Sequence, residues 1–158
     1  MKNMNRKLRS HVEVQATESL SNQKRNTIDT VNAVIEACLD AKGRELSLLD
    51  VHDVFDIADY FIIVSGRSDR QTQGLAKRIL EALSKDGIKP DYVEGYDEGH
   101  WIIIDCIDVV VHIFYEPTRD QFDLEGLWVR AKKLPIHLQA AHNAKGLRAK
   151  HHKSSSAA

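Results

Sequence analysis

The chain has 158 residues, about one domain with short extensions. Hydrophobic residues make up 42% of it and charged residues 28%, a balance typical of a soluble globular protein, and no apolar run approaches the ~18 residues that cross a bilayer. The two cysteines, Cys38 and Cys106, form no CxxC pair, so the sequence predicts neither a disulfide framework nor a zinc site.

Charge is distributed unevenly along the chain. Residues 1–25 carry six basic and two acidic side chains, residues 26–125 carry nine basic and 21 acidic ones, and residues 126–158 carry seven basic and none acidic. The net charge of −1 therefore conceals an acidic middle of about −12 between two basic ends. We expect the middle to prefer a basic partner surface and the ends to contact nucleic acid. Charge alone leaves open the alternative that the middle is merely well solvated and the ends disordered.

The first half of the chain predicts a helix, two strands and a second helix. Residues 1–26 are polar and aperiodic, and we interpret them as a flexible basic arm. A helix follows up to Gly43, with apolar residues at helical spacing: Ile28, Val31, Ile35 and Leu39. Strands are predicted over 46–51 and 59–66. Ser68 and Gln71 form a capping box for the second helix. Its predicted inward positions are Leu75, Ile79, Leu80 and Leu83, and Gly87 ends it.

The second half predicts a short strand, a hairpin and a third helix. Pro90 opens the strand over 91–95, and 101–106 pairs with 109–114 in the hairpin, which Pro117 ends. Segment 119–134 predicts an amphipathic helix with these apolar positions: Phe122, Leu124, Leu127, Trp128 and Ala131. The domain closes at Pro135, and residues 136–158 are interpreted as a basic disordered tail. The order α-β-β-α-β-β-β-α predicts an α/β sandwich with a five-stranded mixed sheet and flanking helices.

The hairpin carries the first candidate site. Strand alternation places Trp101, Ile103 and Asp105 on one face, and in the second strand it groups His112 with Val110 and Phe114. A tryptophan and a carboxylate on one face indicate that no helix seals this side, and aromatic residues are favoured interface anchors. We therefore predict an interface. The alternative is that the tryptophan packs under a loop and the aspartate caps a neighbouring backbone.

Two further candidate sites carry weaker patterns. Asp105, Asp108 and His112 permit a metal or acid–base site, but they lack the tight spacing of known ligand sets, and a hydrogen-bonded structural role for the histidine is preferred. Segment 65–71 runs from a strand through a glycine to a helix start, which suits an anion. It lacks the phosphate-loop spacing, so a turn with a capping serine is the simpler interpretation. The tail histidines have no cysteine or carboxylate neighbours and are interpreted as incidental: His142, His151 and His152.

Several segments together resemble one protein family. They are LDV (49–51), ADYFIIVSGRS (58–68), VEG (93–95), HWIIID (100–105), DVVVHIF (108–114) and RDQFDLEGLW (119–128). In this order and spacing, over about residues 27–133, the chain resembles the Iojap family, the ribosomal silencing factors.

The resemblance implies a function at the ribosome. Family members bind the large ribosomal subunit through its protein fourteen, on the face where the small subunit docks, and so block subunit joining and lower translation when nutrients are scarce. Organellar relatives act in large-subunit assembly. The resemblance also implies a nucleotidyltransferase-like fold and, in some members, a homodimer. By motif position it implies a partner-binding surface made of these residues: Trp101, Tyr60, Arg67, Glu94, Tyr96, His100, Asp105, Asp108, His112 and Trp128.

Two other classes compete with a silencing factor. A metal-dependent nucleotidyltransferase pairs a Gly-Ser turn with an Asp-x-Asp motif that holds two metal ions. Here Asp105 and Asp108 are three positions apart, which in a strand turns their side chains to opposite faces unless the turn realigns them. The third class is an RNA-binding protein that works through its basic tails. We expect a non-enzymatic regulator of translation with no cofactor, no metal and no membrane contact, whose basic ends touch ribosomal RNA.

The hairpin turn and the cellular location complete the expectations. The family usually has glycine where this chain has Ile107, and a positive φ there strains a β-branched residue by about 1–3 kcal/mol. The turn therefore adopts either another geometry or a longer loop. The start MKNMNRKLR lacks an apolar secretory segment and a clear arginine-rich amphipathic helix. We expect the bacterial cytoplasm, with a mitochondrion or plastid as the alternative.

Overall fold

The computed structural model describes residues 26–136, together with Thr17, Ser19 and Asn22. Residues 26–40 are helical and form α1. The elements that follow are β1 (Arg44–Asp50), β2 (Tyr60–Gly66), α2 (Asp69–Lys85), β3 (Tyr92–Glu94), β4 (Trp101–Asp105), β5 (Val109–Tyr115), α3 (Glu116–Phe122), α4 (Leu124–Leu127) and β6 (Lys132–Leu134). Apart from a few positions, the predicted arm (1–26) and tail (136–158) lie outside the described residues.

One mixed sheet organises these elements. Its strand order is β3-β4-β5-β2-β1-β6, and the central pair β2 and β5 is parallel while every other neighbouring pair is antiparallel. The parallel pair requires a crossover, which runs through α2, β3 and β4 before the chain returns as β5. The predicted mixed α/β class is confirmed.

Helices α1 and α2 cover one face of the sheet, which we call the helical face. Its strand residues and the inward helix residues form one buried cluster, including Val34, Ile35, Leu75, Ile79, Ile62, Ile104 and Val111. The predicted inward positions of α2 are confirmed, with Leu75, Ile79 and Leu83 buried and Leu80 half-buried against the same cluster. In α1 the prediction for Leu39 is wrong, because its side chain is 54% exposed. The buried stripe continues through Cys38 instead, three residues after Ile35.

The start of α2 matches the predicted capping. Ser68 Oγ accepts a hydrogen bond of 3.1 Å from the backbone N–H of Gln71, and Gln71 Oε1 accepts one of 2.8 Å from the N–H of Arg67. These bonds satisfy N–H groups that a helix start otherwise leaves without partners. The prediction of a strand-to-helix turn with a capping serine is confirmed.

The predicted third helix and the five-strand count are wrong. Helix α3 ends at Phe122 because Asp123 adopts the left-handed region (φ 45), and the Asp123 side chain then accepts a hydrogen bond from Gly126 N to start the short α4. Lys132–Leu134 leave helical geometry altogether and pair with β1 as a sixth strand. This pairing satisfies the backbone N–H and C=O groups on the outer edge of β1. Helical spacing in the sequence cannot indicate such a long-range pairing.

Candidate partner-binding face

The side chains on the other side of the sheet form a second face with its own core. The register pairs Trp101 with Phe114, Ile103 with His112 and Asp105 with Val110, so all of them share this face, as strand alternation predicts. Beyond β5, Phe61 and Ile63 of β2 lie on the same side. Leu124 and the segment after β1 complete the small buried cluster there: Leu49, Val51, Ala58, Phe61, Ile63, Phe114 and Leu124.

Part of this second face has little cover. We call it the open patch, formed by Tyr92, Glu94, Ile103, Asp105 and Val110, which are neighbours across β3, β4 and β5. Tyr92 is 47% exposed, Glu94 is exposed, and the other three are half-buried, whereas Ile102 and Ile104 on the helical face are fully buried. Apolar and acidic side chains are therefore at least partly exposed together on one surface of the sheet.

Trp101 lies at one end of the open patch. Its ring stacks on Phe114 with centroids 4.9 Å apart and meets Phe122 of α3 at 5.0 Å. Its indole Nε1–H donates a 3.2 Å hydrogen bond to His112 Nδ1. The expectation of an uncovered tryptophan is wrong in this respect, because α3 shields one side of the ring and leaves it half-buried. Phe122, which makes this contact, is the last residue of α3 before the chain turns at Asp123.

His112 is buried beside Trp101 and accepts its indole hydrogen bond. It is 6% exposed, and because Nδ1 accepts the indole hydrogen, the proton of the neutral ring sits on Nε2. Within the described part of the chain Nε2 has no hydrogen-bond partner, and Phe61 meets the imidazole at 5.0 Å in a T-shaped arrangement. Burial lowers the pKa of His112 to about 4, so the ring is neutral near pH 7. The hydrogen bond predicted for this histidine is present.

A row of aromatic rings connects the two tryptophans. Trp101 and His112 have centroids 6.0 Å apart, His112 and Phe61 are at 5.0 Å, and Phe61 and Trp128 are at 5.8 Å. Phe55 packs edge-on against Trp128 at 5.1 Å. Trp128 thus shares the face with Trp101 but lies two rings away from it.

Asp105 and Asp108 do not form a carboxylate pair. Asp105 Oδ1 accepts a 2.8 Å hydrogen bond from the backbone N–H of Ile107, and Asp108 Oδ2 accepts one of 3.1 Å from Thr27 Oγ1 in α1. Each carboxylate is thus bonded to a different part of the molecule. Among residues 26–136 no three His, Cys, Asp or Glu side chains are grouped so as to hold a metal ion.

The turn between these aspartates has positive φ at Ile107. Its φ is 69°, and the N–H of Asp108 donates to the carbonyl of Cys106 at 2.9 Å, which closes a three-residue turn around it. The side chain is 63% exposed. The prediction of another geometry or a longer loop is therefore wrong: the positive φ that glycine normally accommodates is present, with a β-branched residue in it.

The other predicted site residues divide between the two ends of the sheet. Arg67, Tyr96 and His100 belong to turns at the end that carries Trp101, where the His100 carbonyl accepts from Tyr115 N. Gln73 of α2 donates a 2.9 Å hydrogen bond from Nε2 to the carbonyl oxygen of Tyr96. Tyr60 lies on the helical face instead, at the far end beside Asp108, where the Asp108 carbonyl accepts from Tyr60 N.

Two residues of the face were missed by the sequence interpretation. Tyr92 pairs with Asp105 across β3 and β4, and strand alternation applied to the short β3 would have placed it beside Glu94. Phe122 was assigned to a buried helix stripe but is 53% exposed and packs on Trp101. No local signal indicates that contact, because it depends on how α3 packs against β4.

Within the described residues, every helix is too short or too polar to span a bilayer.

Comparison with protein families identifies one family model. The model described as "Ribosomal silencing factor during starvation" matches residues 24–158. The ribosomal silencing factor RsfS of Bacillus subtilis is 39% identical over 92 residues, which are 58% of this chain and 78% of that protein. A mouse protein named "Mitochondrial assembly of ribosomal large subunit protein 1" is 24% identical over 101 residues, 62% of this chain and 44% of that protein.

A solved structure has the same fold. A crystal structure of a Chromobacterium violaceum protein superposes with a TM-score of 0.62 at 30% sequence identity, and the match covers 70% of this chain and 93% of that one. The six-stranded mixed sheet with flanking helices is therefore shared with an experimentally determined relative.

Proposed function

This chain belongs to the ribosomal silencing factor family, and we propose that it binds the large ribosomal subunit and keeps the small subunit from joining. The proposed contact is protein fourteen of the large subunit, on the face where the small subunit docks. The outcome is lower translation when nutrients are scarce. The role is non-enzymatic, on a nucleotidyltransferase-like scaffold without its chemistry.

The observation that carries the proposal is the open patch beside Trp101. An apolar anchor that is already held by Phe114 and His112 loses little side-chain freedom on binding. Glu94 and Asp105 add negative charge around it, which favours the basic surface typical of ribosomal proteins. The chain's acidic block of residues 26–125 extends that preference over a longer range.

The test compares two charge reversals in the full chain. Glu94→Lys reverses a charge in the open patch. The control, Glu81→Lys, reverses a charge on the solvent-exposed side of α2, away from the second face. We expect Glu94→Lys to weaken co-sedimentation with purified large subunits about tenfold, equivalent to ~1.4 kcal/mol, and Glu81→Lys to change it less than twofold.

Trp101→Ala provides the second arm of this test. We expect it to weaken binding strongly in protein that circular dichroism shows to be folded. If Glu94→Lys and Trp101→Ala both bind large subunits and block joining as the unchanged protein does, the proposed surface is wrong. Nucleotide transfer from a labelled triphosphate, abolished by Asp105→Asn, would contradict the non-enzymatic role.

A second candidate is an assembly factor for the large subunit, favoured by the name of the mouse relative. Cells that lack an assembly factor accumulate incomplete large subunits. Cells that lack a silencing factor instead contain complete subunits that join too readily in starvation. Sucrose-gradient profiles of starved deletion cells separate these two outcomes.

The remaining parts of the proposal concern location, the chain ends and oligomeric state. We place the action in the bacterial cytoplasm, which the 39% identity to a Bacillus subtilis protein supports. The basic ends are proposed to touch ribosomal RNA. Deleting residues 136–158 should then increase the salt sensitivity of ribosome binding without abolishing it. A homodimer stays a prediction, which sedimentation equilibrium checks.

A further inference from the structure

Arg119 connects four elements through one buried guanidinium. Its side chain is 8% exposed, and NH1 donates to the carbonyl of Glu45 at 2.7 Å and to Ser65 Oγ at 2.8 Å. NH2 donates to Ser47 Oγ at 3.4 Å, and the carboxylate of Glu125 accepts from both NH2 and Nε. Because the guanidinium fork is planar, these bonds set the direction of α3 against β1 and β2 and tie α4 to α3.

The two helices that this pair joins have little stability of their own. Helix α3 has seven residues and α4 has four, and Asp123 turns the chain between them with φ 45. Helices this short form in water only when tertiary contacts hold them. The Arg119–Glu125 ion pair bonds α3 directly to α4 across the bend.

Each member of the ion pair lies three residues before an aromatic ring of the second face. Phe122 follows Arg119 and packs on Trp101 at 5.0 Å, and Trp128 follows Glu125 and packs on Phe61 at 5.8 Å. Phe122 lies on α3 itself, three residues after Arg119, and Trp128 is the residue at which α4 ends. The placement of α3 on the sheet therefore positions Phe122, and the placement of α4 relative to α3 positions Trp128.

We infer that Arg119 and Glu125 are a positioning pair for partner binding, which holds Phe122 and Trp128 in the arrangement that the large subunit recognises. The inference rests on the proposed function. Burying an ion pair often adds little net stability, because removing two charges from water offsets their attraction. A pair that holds one geometry among several is the better-attested use of such groups.

The test uses the full chain with Glu125→Ala and two controls. Glu116→Ala removes another α3 carboxylate that is paired with an arginine of β1, Arg44, at 2.7 Å, but at the surface. Ile79→Val removes one methylene from the helical face and so lowers stability without touching the second face. The three variants are compared for large-subunit affinity and for emission of the protein's two tryptophans, under conditions where circular dichroism shows each to be folded.

We expect Glu125→Ala to weaken binding about tenfold and to shift tryptophan emission to longer wavelength, because both indoles lose packing. Glu125→Gln, which retains one acceptor oxygen for Arg119, should fall between Glu125→Ala and the unchanged protein. Both controls should bind within about twofold of the unchanged protein, with no emission shift.

Three results would overturn the inference. They are unchanged emission in Glu125→Ala, an affinity equal to that of the unchanged protein, or an equal loss of affinity in Ile79→Val, which would show a general effect of stability. The emission measurement needs no ribosomes. It therefore tests the positioning pair independently of ribosome binding. If the unchanged protein fails to bind large subunits, the proposed function is refuted, but the emission result still decides on the positioning pair.

Discussion

Buried His112 makes the stability of this protein depend on pH in a defined direction. The unfolded chain protonates this histidine near its ordinary pKa of 6.5, whereas burial lowers the pKa to about 4 in the folded protein. The rings packed on it, Trp101, Phe61 and Phe114, carry no charge that would favour protonation. The neutral form therefore stabilises the fold fully above pH 6.5, and that contribution is lost as the pH falls towards 4.

The magnitude follows from the two pKa values. Between pH 7 and pH 5 the free energy of unfolding should fall by about 2 kcal/mol through His112 alone, and by about 3 kcal/mol once the pH is below 4. His112→Asn removes the titration and leaves a side-chain oxygen near the position of Nδ1 to accept from Trp101.

Urea unfolding at a series of pH values measures the effect for both proteins. The difference between the two curves isolates His112, because the substitution changes no other titratable side chain. We expect the curve of the unchanged protein to fall more steeply between pH 7 and pH 5 than that of His112→Asn. Parallel curves over this range would refute the assignment of His112 as a buried neutral ring.

Three further perturbations test other features of the fold. Ile107→Asn should raise the free energy of unfolding by about 1 kcal/mol in thermal or urea unfolding, because asparagine tolerates φ 69 and the isoleucine is mostly exposed; a decrease would show that the turn stores no strain. Gly95→Ala should lower the free energy of unfolding by at least ~2 kcal/mol, because Gly95 has φ 80 and the added Cβ would lie 2.1 Å from the carbonyl oxygen of Trp101. The control Gly74→Ala adds a Cβ into open space within α2 and should raise the free energy of unfolding by about 0.5–1 kcal/mol. Equal effects of the two substitutions would contradict the clash. Burial would raise the pKa of Glu125, but the Arg119 guanidinium outweighs it and holds that pKa below its ordinary value. Glu125→Gln should therefore be less stable than the unchanged protein above pH 5 and approach its stability as the pH falls below 4. A stability difference that persists in acid would indicate an effect of packing rather than of charge.

Local patterns predicted the parts of the fold that depend on local physics. The capping box at Ser68, the inward stripe of α2 and the alternation that puts Trp101, Ile103 and Asp105 on one face all appear in the structure. Each depends on the geometry of a single element or on two strands joined by a tight turn. The hydrogen-bonded histidine also followed, because a polar side chain inside a core strand needs a partner.

The cover of the second face could not be predicted in the same way. A helical pattern of apolar residues runs through 119–134, yet the chain bends at Asp123 and ends as β6. The edge of β1 and the hydrogen bonds of buried Arg119 compete with helix continuation there, and both involve residues more than 70 positions earlier in the chain. Only long-range contacts decide between such alternatives.

The amino-acid sequence by itself determined the α/β class, the acidic middle block, the faces of the hairpin and, through motifs in order, the resemblance to ribosomal silencing factors. Tertiary structure decided that Trp101 is shielded by Phe122, that Asp105 and Asp108 bond apart, and that an open patch remains beside them. The reason is that periodicity reports which side of an element is apolar. Which neighbour covers that side depends on bends and pairings between segments far apart in the chain.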